Sequence, residues 1–240
     1  MRFIRLMMIL TIVLTVVVSV AGAEQRGGAP TPPPQAPGTP AQTPARGGGG
    51  GRGGGGGGAP SIMALNTTAW PDGGMIPLRY TQAGPELSPG IQWSGVPTGT
   101  ASFVLIFHDA DSLVGGSTDG LLHWMVWNIP GSATALPQGI PDGFELADLT
   151  GNMAAMNGVR QMSVSGSRYR GPGAPAAGPI HHYILELYAL DTMLGDIKVP
   201  AQGPQEPNPV TQTIRTSIMQ AMVGHIRGKA AYVGLFHRPQ

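Results

Sequence analysis

Phe103-Val104-Leu105-Ile106-Phe107 is apolar at every position. Successive side chains of a strand point to opposite faces, so such a run has no polar face to turn toward water and fits a central strand covered on both sides. Tyr183-Ile184-Leu185-Glu186-Leu187-Tyr188 reads the same way over most of its length, and Trp124-Met125-Val126-Trp127 is a third strong strand. Gly, Pro, Asn and Asp punctuate the chain around these runs and around weaker strand candidates at residues 75–80, 91–93, 159–164 and 231–236. The pattern predicts a mainly β domain. One helix interrupts it: Asn208 suits the cap, Pro209 the first helical position, and Val210, Ile214, Ile218, Met222 and Ile226 recur at every fourth residue until Gly228. That stripe predicts a helix packed on the sheet, with Met219 and Met222 as core filler.

All of these elements fall within residues 61–240, which read as one domain. Residues 24–60 are almost entirely Gly, Pro, Ala, Thr, Gln and Arg, with Pro32-Pro33-Pro34 first and glycine runs at 47–51 and 53–58. With no apolar surface to offset its ordering entropy, this stretch reads as a disordered tether, stiffer in its proline half. Residues 1–23 carry Arg2 and Arg5, an apolar run over 6–20 and then Ala21-Gly22-Ala23, the layout of a secretory signal peptide cut before Glu24. The run also approaches the roughly 20 residues that span a bilayer, so a retained N-terminal membrane anchor is the alternative. The expected location is periplasmic or secreted. The chain has no cysteine, so its stability must come from burial in a core rather than from disulfides. Residues 61–240 hold nine basic and twelve acidic side chains, a net charge of −3, which is not the footprint of a nucleic-acid binder.

The common catalytic signatures are missing. There is no G-x-S-x-G, no phosphate loop ending in Lys-Ser/Thr and no H-E-x-x-H, and G-x-G-x-x-G occurs only inside the glycine tract, where any glycine run matches. No cofactor is implied. What remains is a set of polar groups at strand ends: Asp109 and Asp111 after the run ending at Phe107, His123 opening the strand at 124–127, and His181 opening the strand at 183–188. If these strands are neighbours, two carboxylates and two imidazoles meet at one rim. The Pro- and Gly-rich loop at 168–180 is long for a compact domain, and such loops commonly carry sites.

Several motifs then follow one another in order: Leu87-Ser88-Pro89, Trp93-Ser94-Gly95-Val96-Pro97, Asp109-Ala110-Asp111, His123-Trp124 leading to Asn128-Ile129-Pro130, and Tyr169-Arg170-Gly171-Pro172-Gly173-Ala174-Pro175. His181-His182-Tyr183, Tyr188-Ala189-Leu190-Asp191 and Ala221-Met222-Val223-Gly224-His225-Ile226 complete the series. Together they resemble the phosphatidylethanolamine-binding protein family, in its bacterial branch similar to Raf kinase inhibitor protein. The resemblance implies a β-sandwich of a large central sheet and a smaller sheet, with a C-terminal helix packed on it. Two departures stand out. The family's Asp-Pro-Asp-Ala-Pro reads Asp109-Ala110-Asp111-Ser112-Leu113 here, and His182 stands where its His-Arg-Tyr has arginine. Loss of both prolines is expected to loosen the loop after Asp111. By resemblance, the ligand-binding residues are Asp109, Asp111, His123, Gly171, Gly173, Pro175, His181 and Tyr183, with no catalytic residue and no metal assigned.

That set suits a small anion such as phosphate or a phospholipid head group. His123, His181 and Tyr183 are expected to donate to it, along with backbone N–H groups of residues 171–173 that glycine lets a ligand approach. Asp109 or Asp111 is expected to accept from one imidazole nitrogen and so orient the ring. The function expected is an exported binding protein without turnover. Two alternatives stay open: a hydrolytic enzyme in which Asp109 and His123 pair as general base, and a regulator of an envelope or secreted protein partner. A homodimer is open as well. Zinc held by two His and two Asp is a weaker reading, because the spacing matches no recognised ligand pattern. Each residue also has a plain structural role to weigh: Asp109 capping a turn, His123 a satisfied core histidine, Tyr183 a strand aromatic.

Overall fold

The computed structural model describes residues 61–114, 118–146, 158–198 and 209–240; the stretches read above as a signal peptide, a tether and the Asn208 cap lie outside them. In chain order the strands are β1 (Ser61–Ile62), β2 (Ala64–Asn66), β3 (Gly74–Met75), β4 (Ile91–Ser94), β5 (Ser102–Asp109), β6 (Leu121–Pro130), β7 (Ala135–Leu136), β8 (Arg160–Met162) and β9 (His181–Leu190). Helix α1 (Pro209–Met222) and strand β10 (Ile226–Phe236) follow. The large sheet runs β1-β10-β9-β5-β6-β8, with β3 also pairing with β10, and the small sheet runs β2-β4-β7. The expected mainly β architecture of two sheets and a C-terminal helix is what forms.

Strand β5 sits where its unbroken apolar run places it, between β6 and β9 and antiparallel to both. Its odd-numbered side chains Phe103, Leu105 and Phe107 join a core shared with Leu65, Trp93 and Leu136 of the small sheet. Its even-numbered Val104 and Ile106 join a second core with Ile214, Ile218 and Met222 of α1. Each fully buried side chain of this size contributes about 1.5–3 kcal/mol of transfer free energy, so a strand covered on both sides anchors both layers.

Three expectations change. Strand β9 is not covered on both sides throughout: Tyr183, Leu185 and Leu187 are buried, but Ile184 and Glu186 between them are only partly so. The strand buried on both faces alongside β5 is β6, where eight consecutive residues are buried. The stretch 75–80 is a short strand followed by a 3₁₀ turn at Leu78–Tyr80, because Pro77 cannot donate to a ladder. The helix ends at Met222 rather than running to Gly228. Gly224 takes φ 85° just past its end, a left-handed stop that glycine adopts without penalty, and Ile226 opens β10 opposite Leu190.

The antiparallel order has one consequence for function. The end of β5 and the starts of β6 and β9 lie at the same edge of the sheet, with Asp109 opposite both Leu121 and Tyr183.

Candidate functional site

Asp109, the last residue of β5, is 3% exposed. Its Oδ1 accepts the backbone N–H groups of Asp111 at 3.0 Å and Ser112 at 3.1 Å, closing the turn that leaves the strand. Its Oδ2 lies 2.8 Å from His181 Nδ1. Since a carboxylate in this role accepts, Nδ1 carries the proton and the His181 tautomer is set. Asp109 therefore both caps its turn and orients an imidazole. The partner is His181, not His123, so the Asp109 and His123 general-base pair of the hydrolytic alternative does not form.

His123, in the third position of β6, is 1% exposed. Its Nδ1 lies 3.0 Å from the Arg170 carbonyl oxygen and 3.0 Å from that of Gly171. Carbonyls only accept, so Nδ1 is the protonated nitrogen, and the His123 carbonyl in turn receives the Arg170 N–H at 2.9 Å. The residue clamps the loop at 169–175 to the sheet. Burial pulls the ring's pKa down to about 4 against the opposing pull of the loop carbonyls and Asp109. At neutral pH the ring is uncharged, and Nε2 bears a lone pair. The expectation that an oriented imidazole donates through its far nitrogen thus reverses for His123: with Nδ1 protonated, a neutral ring accepts through Nε2. That atom is buried and has no partner among the described residues.

Tyr183 is fully buried, and its hydroxyl oxygen accepts the N–H groups of Gly173 at 3.3 Å and Ala174 at 3.1 Å. Burial, then the charge of Asp109 and a hydrogen bond with it, push the phenol well above its ordinary pKa. The Gly171 N–H goes to Glu86 Oε1 at 3.1 Å, and the same carboxylate pairs with Arg170 Nη1 at 3.4 Å. Glu86 holds this position with φ 54°, a conformation uncommon outside glycine. The N–H groups of 171–173 are therefore committed inside the protein: Gly171 to Glu86, Gly173 to Tyr183, and Pro172 has none. They do not form the open anion cradle expected of them.

A cavity of about 320 Å³ opens over this constellation, at the small end of the range of ligand pockets. Asp109, His123, Gly173, Pro175, His181 and Tyr183 line it, as the sequence suggested. Asp111 and Gly171 do not. Asp111 turns to the exposed neighbour of His181, accepting the His182 N–H at 2.6 Å and its Nδ1 at 2.9 Å; those bonds hold its carboxyl below the usual range. Residues 181 and 182 point to opposite faces of a strand, so the two aspartates are drawn apart. Gly171 is needed for packing, since a Cβ there would lie 2.6 Å from the Tyr80 carbonyl oxygen.

The cavity is also lined by Gln82, Ser112, Ser165 and Arg170, none of which stood out in the sequence as a site residue. The Ser165 hydroxyl is buried without a partner among the described residues, and Gln82 Nε2 donates to the Gly171 carbonyl at 2.8 Å. Only for Arg170 was there a signal, its place inside the Tyr-Arg-Gly-Pro-Gly run. Among the described residues no group of three or more His, Cys, Asp or Glu side chains is arranged to hold a metal ion.

Comparison with known proteins agrees with this fold. The family model described as phosphatidylethanolamine-binding protein matches residues 66–237. A UPF0098 protein of Methanothermobacter thermautotrophicus is 35% identical over 176 residues, spanning 73% of this chain and 99% of the relative. The UPF0098 protein YbhB of Escherichia coli is 33% identical over 138 residues, or 55% of this chain and 80% of that one. Among solved structures, a phosphatidylethanolamine-binding protein homologue from Chlamydia trachomatis superimposes with a TM-score of 0.53 at 26% identity, covering 75% of this chain and 99% of its own.

Proposed function

This chain belongs to the phosphatidylethanolamine-binding protein family, and we propose that its domain is a binding module that takes a small anion of phosphate chemistry, free or as a lipid head group, without turning it over. The observation that carries this reading is the convergence of Arg170, His181 and a buried serine hydroxyl on one small cavity. Guanidinium, imidazolium and hydroxyl groups donate hydrogen bonds to an oxyanion in a site shielded from water. Asp109 serves by orienting His181 rather than by touching the ligand. Isothermal titration with inorganic phosphate, phosphoethanolamine and acetate tests the reading: saturable heat is expected with the phosphates and is expected to be lost in His181→Ala. Silence with all three anions up to roughly millimolar concentration, the weak end of specific binding, overturns it.

We also propose that the domain works outside the cytoplasm, on the strength of the charged, apolar and small-residue succession in residues 1–23. Protein recovered from the envelope or medium of expressing cells is expected to begin at Glu24. Recovery from the cytosol with Met1 or Arg2 still in place contradicts export.

A further inference from the structure

A second cavity, of about 290 Å³, lies on the small sheet and shares no lining residue with the one at the rim. Alternation along the strands builds its floor. Leu65, Ile91, Trp93 and Leu136 turn into the core, so their neighbours Asn66, Gln92 and Ala135 turn outward. The register sets Asn66 opposite Gln92 and Gln92 opposite Ala135, and the three stand abreast across β2, β4 and β7. The chain leaving β2 adds Thr67 and Thr68, the approach to β4 adds Gly90, and the chain leaving β7 adds Pro137 and Gln138. Among the described residues that line the cavity, none is charged.

The polar groups there divide into those already used and those on offer. The Thr67 hydroxyl donates to the Gly90 carbonyl at 2.6 Å and accepts the Ala69 N–H at 3.1 Å, which ties one wall to the other. Gln138 Oε1 accepts from the Tyr80 hydroxyl at 3.0 Å, and that buried hydroxyl accepts in turn from Arg79 Nη2. With its oxygen held from inside the protein, the Gln138 amide has its NH₂ left to give. Asn66, Thr68 and Gln92 are exposed, and each can both donate and accept through an amide or a hydroxyl. An anion finds no cation on these walls, and a cation no carboxylate. A peptide added as a further strand meets a poor edge, since β7 is two residues long and is followed by Pro137, which has no N–H to extend a ladder.

We propose that this face of the small sheet binds an uncharged carbohydrate. Sugar hydroxyls are donors and acceptors at once, and they pair with the side chains of Asn66, Thr68, Gln92 and Gln138, while ring C–H groups rest on Ala135 and Pro137. Neutral amides and hydroxyls give up water at less cost than charged groups do, which suits a ligand that brings no charge of its own. The site needs nothing from the rim cavity.

The test follows the side-chain NH₂ resonances of Asn66, Gln92 and Gln138 in ¹⁵N spectra of the full chain during titration with glucose, N-acetylglucosamine, maltose and a blocked, uncharged Ser-Ala hexapeptide. Saturable shifts of all three resonances are expected with at least one sugar, with a midpoint of about millimolar or lower, and none with the peptide. Ala135→Phe, which lays a ring over the floor, and Gln92→Ala, at an exposed position outside the core, are each expected to weaken sugar binding about tenfold or more. His181→Ala is expected to leave it unchanged. No saturable shift with any of the three sugars overturns the proposal, as do affinities that both cavity variants leave intact. Loss of the sugar response in His181→Ala places the sugar at the rim instead, and a saturable response to the peptide alone gives the groove to a polypeptide; either result also overturns it. None of these outcomes bears on anion binding at the rim.

Discussion

Asp109→Ala is expected to destabilise the domain by about 2–3 kcal/mol, because the carboxylate is buried and satisfies three separate donors. The two N–H groups of the turn and the His181 ring lose their acceptor together. For a chain of this size the loss corresponds to a melting temperature lower by about 5–10 °C. Asp109→Asn separates the two roles. Its amide oxygen still closes the turn, but its NH₂ meets a ring nitrogen that also carries hydrogen, so His181 must change tautomer or turn away. The asparagine variant is expected to recover much of the stability and little of the anion binding. A melting temperature unchanged in the alanine variant would show that Asp109 does not hold the turn and the ring as described.

Acid is expected to destabilise the protein through His123 in a window set by two pKa values. The ring has an ordinary value of 6.5 when exposed in the unfolded chain and about 4 when buried in the fold. Below pH 6.5 the unfolded state binds a proton that the native state refuses, so stability falls as pH falls, and the loss is complete once pH drops below about 4. A shift of this size corresponds to about 3 kcal/mol between pH 7 and pH 4. Glu186 loses its contribution at lower pH, from 4.5 down to about 2, where its bonds to His108 and Lys229 hold it ionised. Denaturant unfolding at several pH values between 7 and 4, on the wild type and on His123→Gln, isolates the histidine. The variant is expected to start less stable, because the loop loses its clamp, but to show a shallower fall. Parallel curves would mean that His123 is not buried as a neutral ring.

The sheet and the polar rim were legible for different reasons. A strand apolar at every position admits one environment, and β5 occupies it; residues at the ends of such strands share an edge once the strands are antiparallel neighbours, which brought Asp109, His123 and His181 together. Alternation along a strand is equally strict, and the bond of Asp111 to His182 carries that carboxylate to the other face from His181. The four lining residues that were missed come from loops without periodicity. Gln82 and Glu86 reach the 169–175 loop across more than eighty positions in sequence, and nothing local to either announces the partner. The role of Gly171 was misjudged because a glycine demanded by a neighbouring backbone looks the same in sequence as one demanded by a ligand. The direction of hydrogen bonding at His123 was beyond reach, since it depends on which atoms the ring meets at Nδ1.

The outer half of the large sheet is stitched by a segment that arrives last. Strand β10 pairs along its full length with β9 and, on its other side, in parallel with β1 at residues 228–229 and with β3 at 234–235. Segments some 160 positions apart in the chain are thereby joined, and pairings of such long range are slow to form. A ribosome that has released β1 through β9 still holds the strand those early segments require. Until then the nascent polypeptide has no finished edge on that flank, and the large sheet stays open along β9.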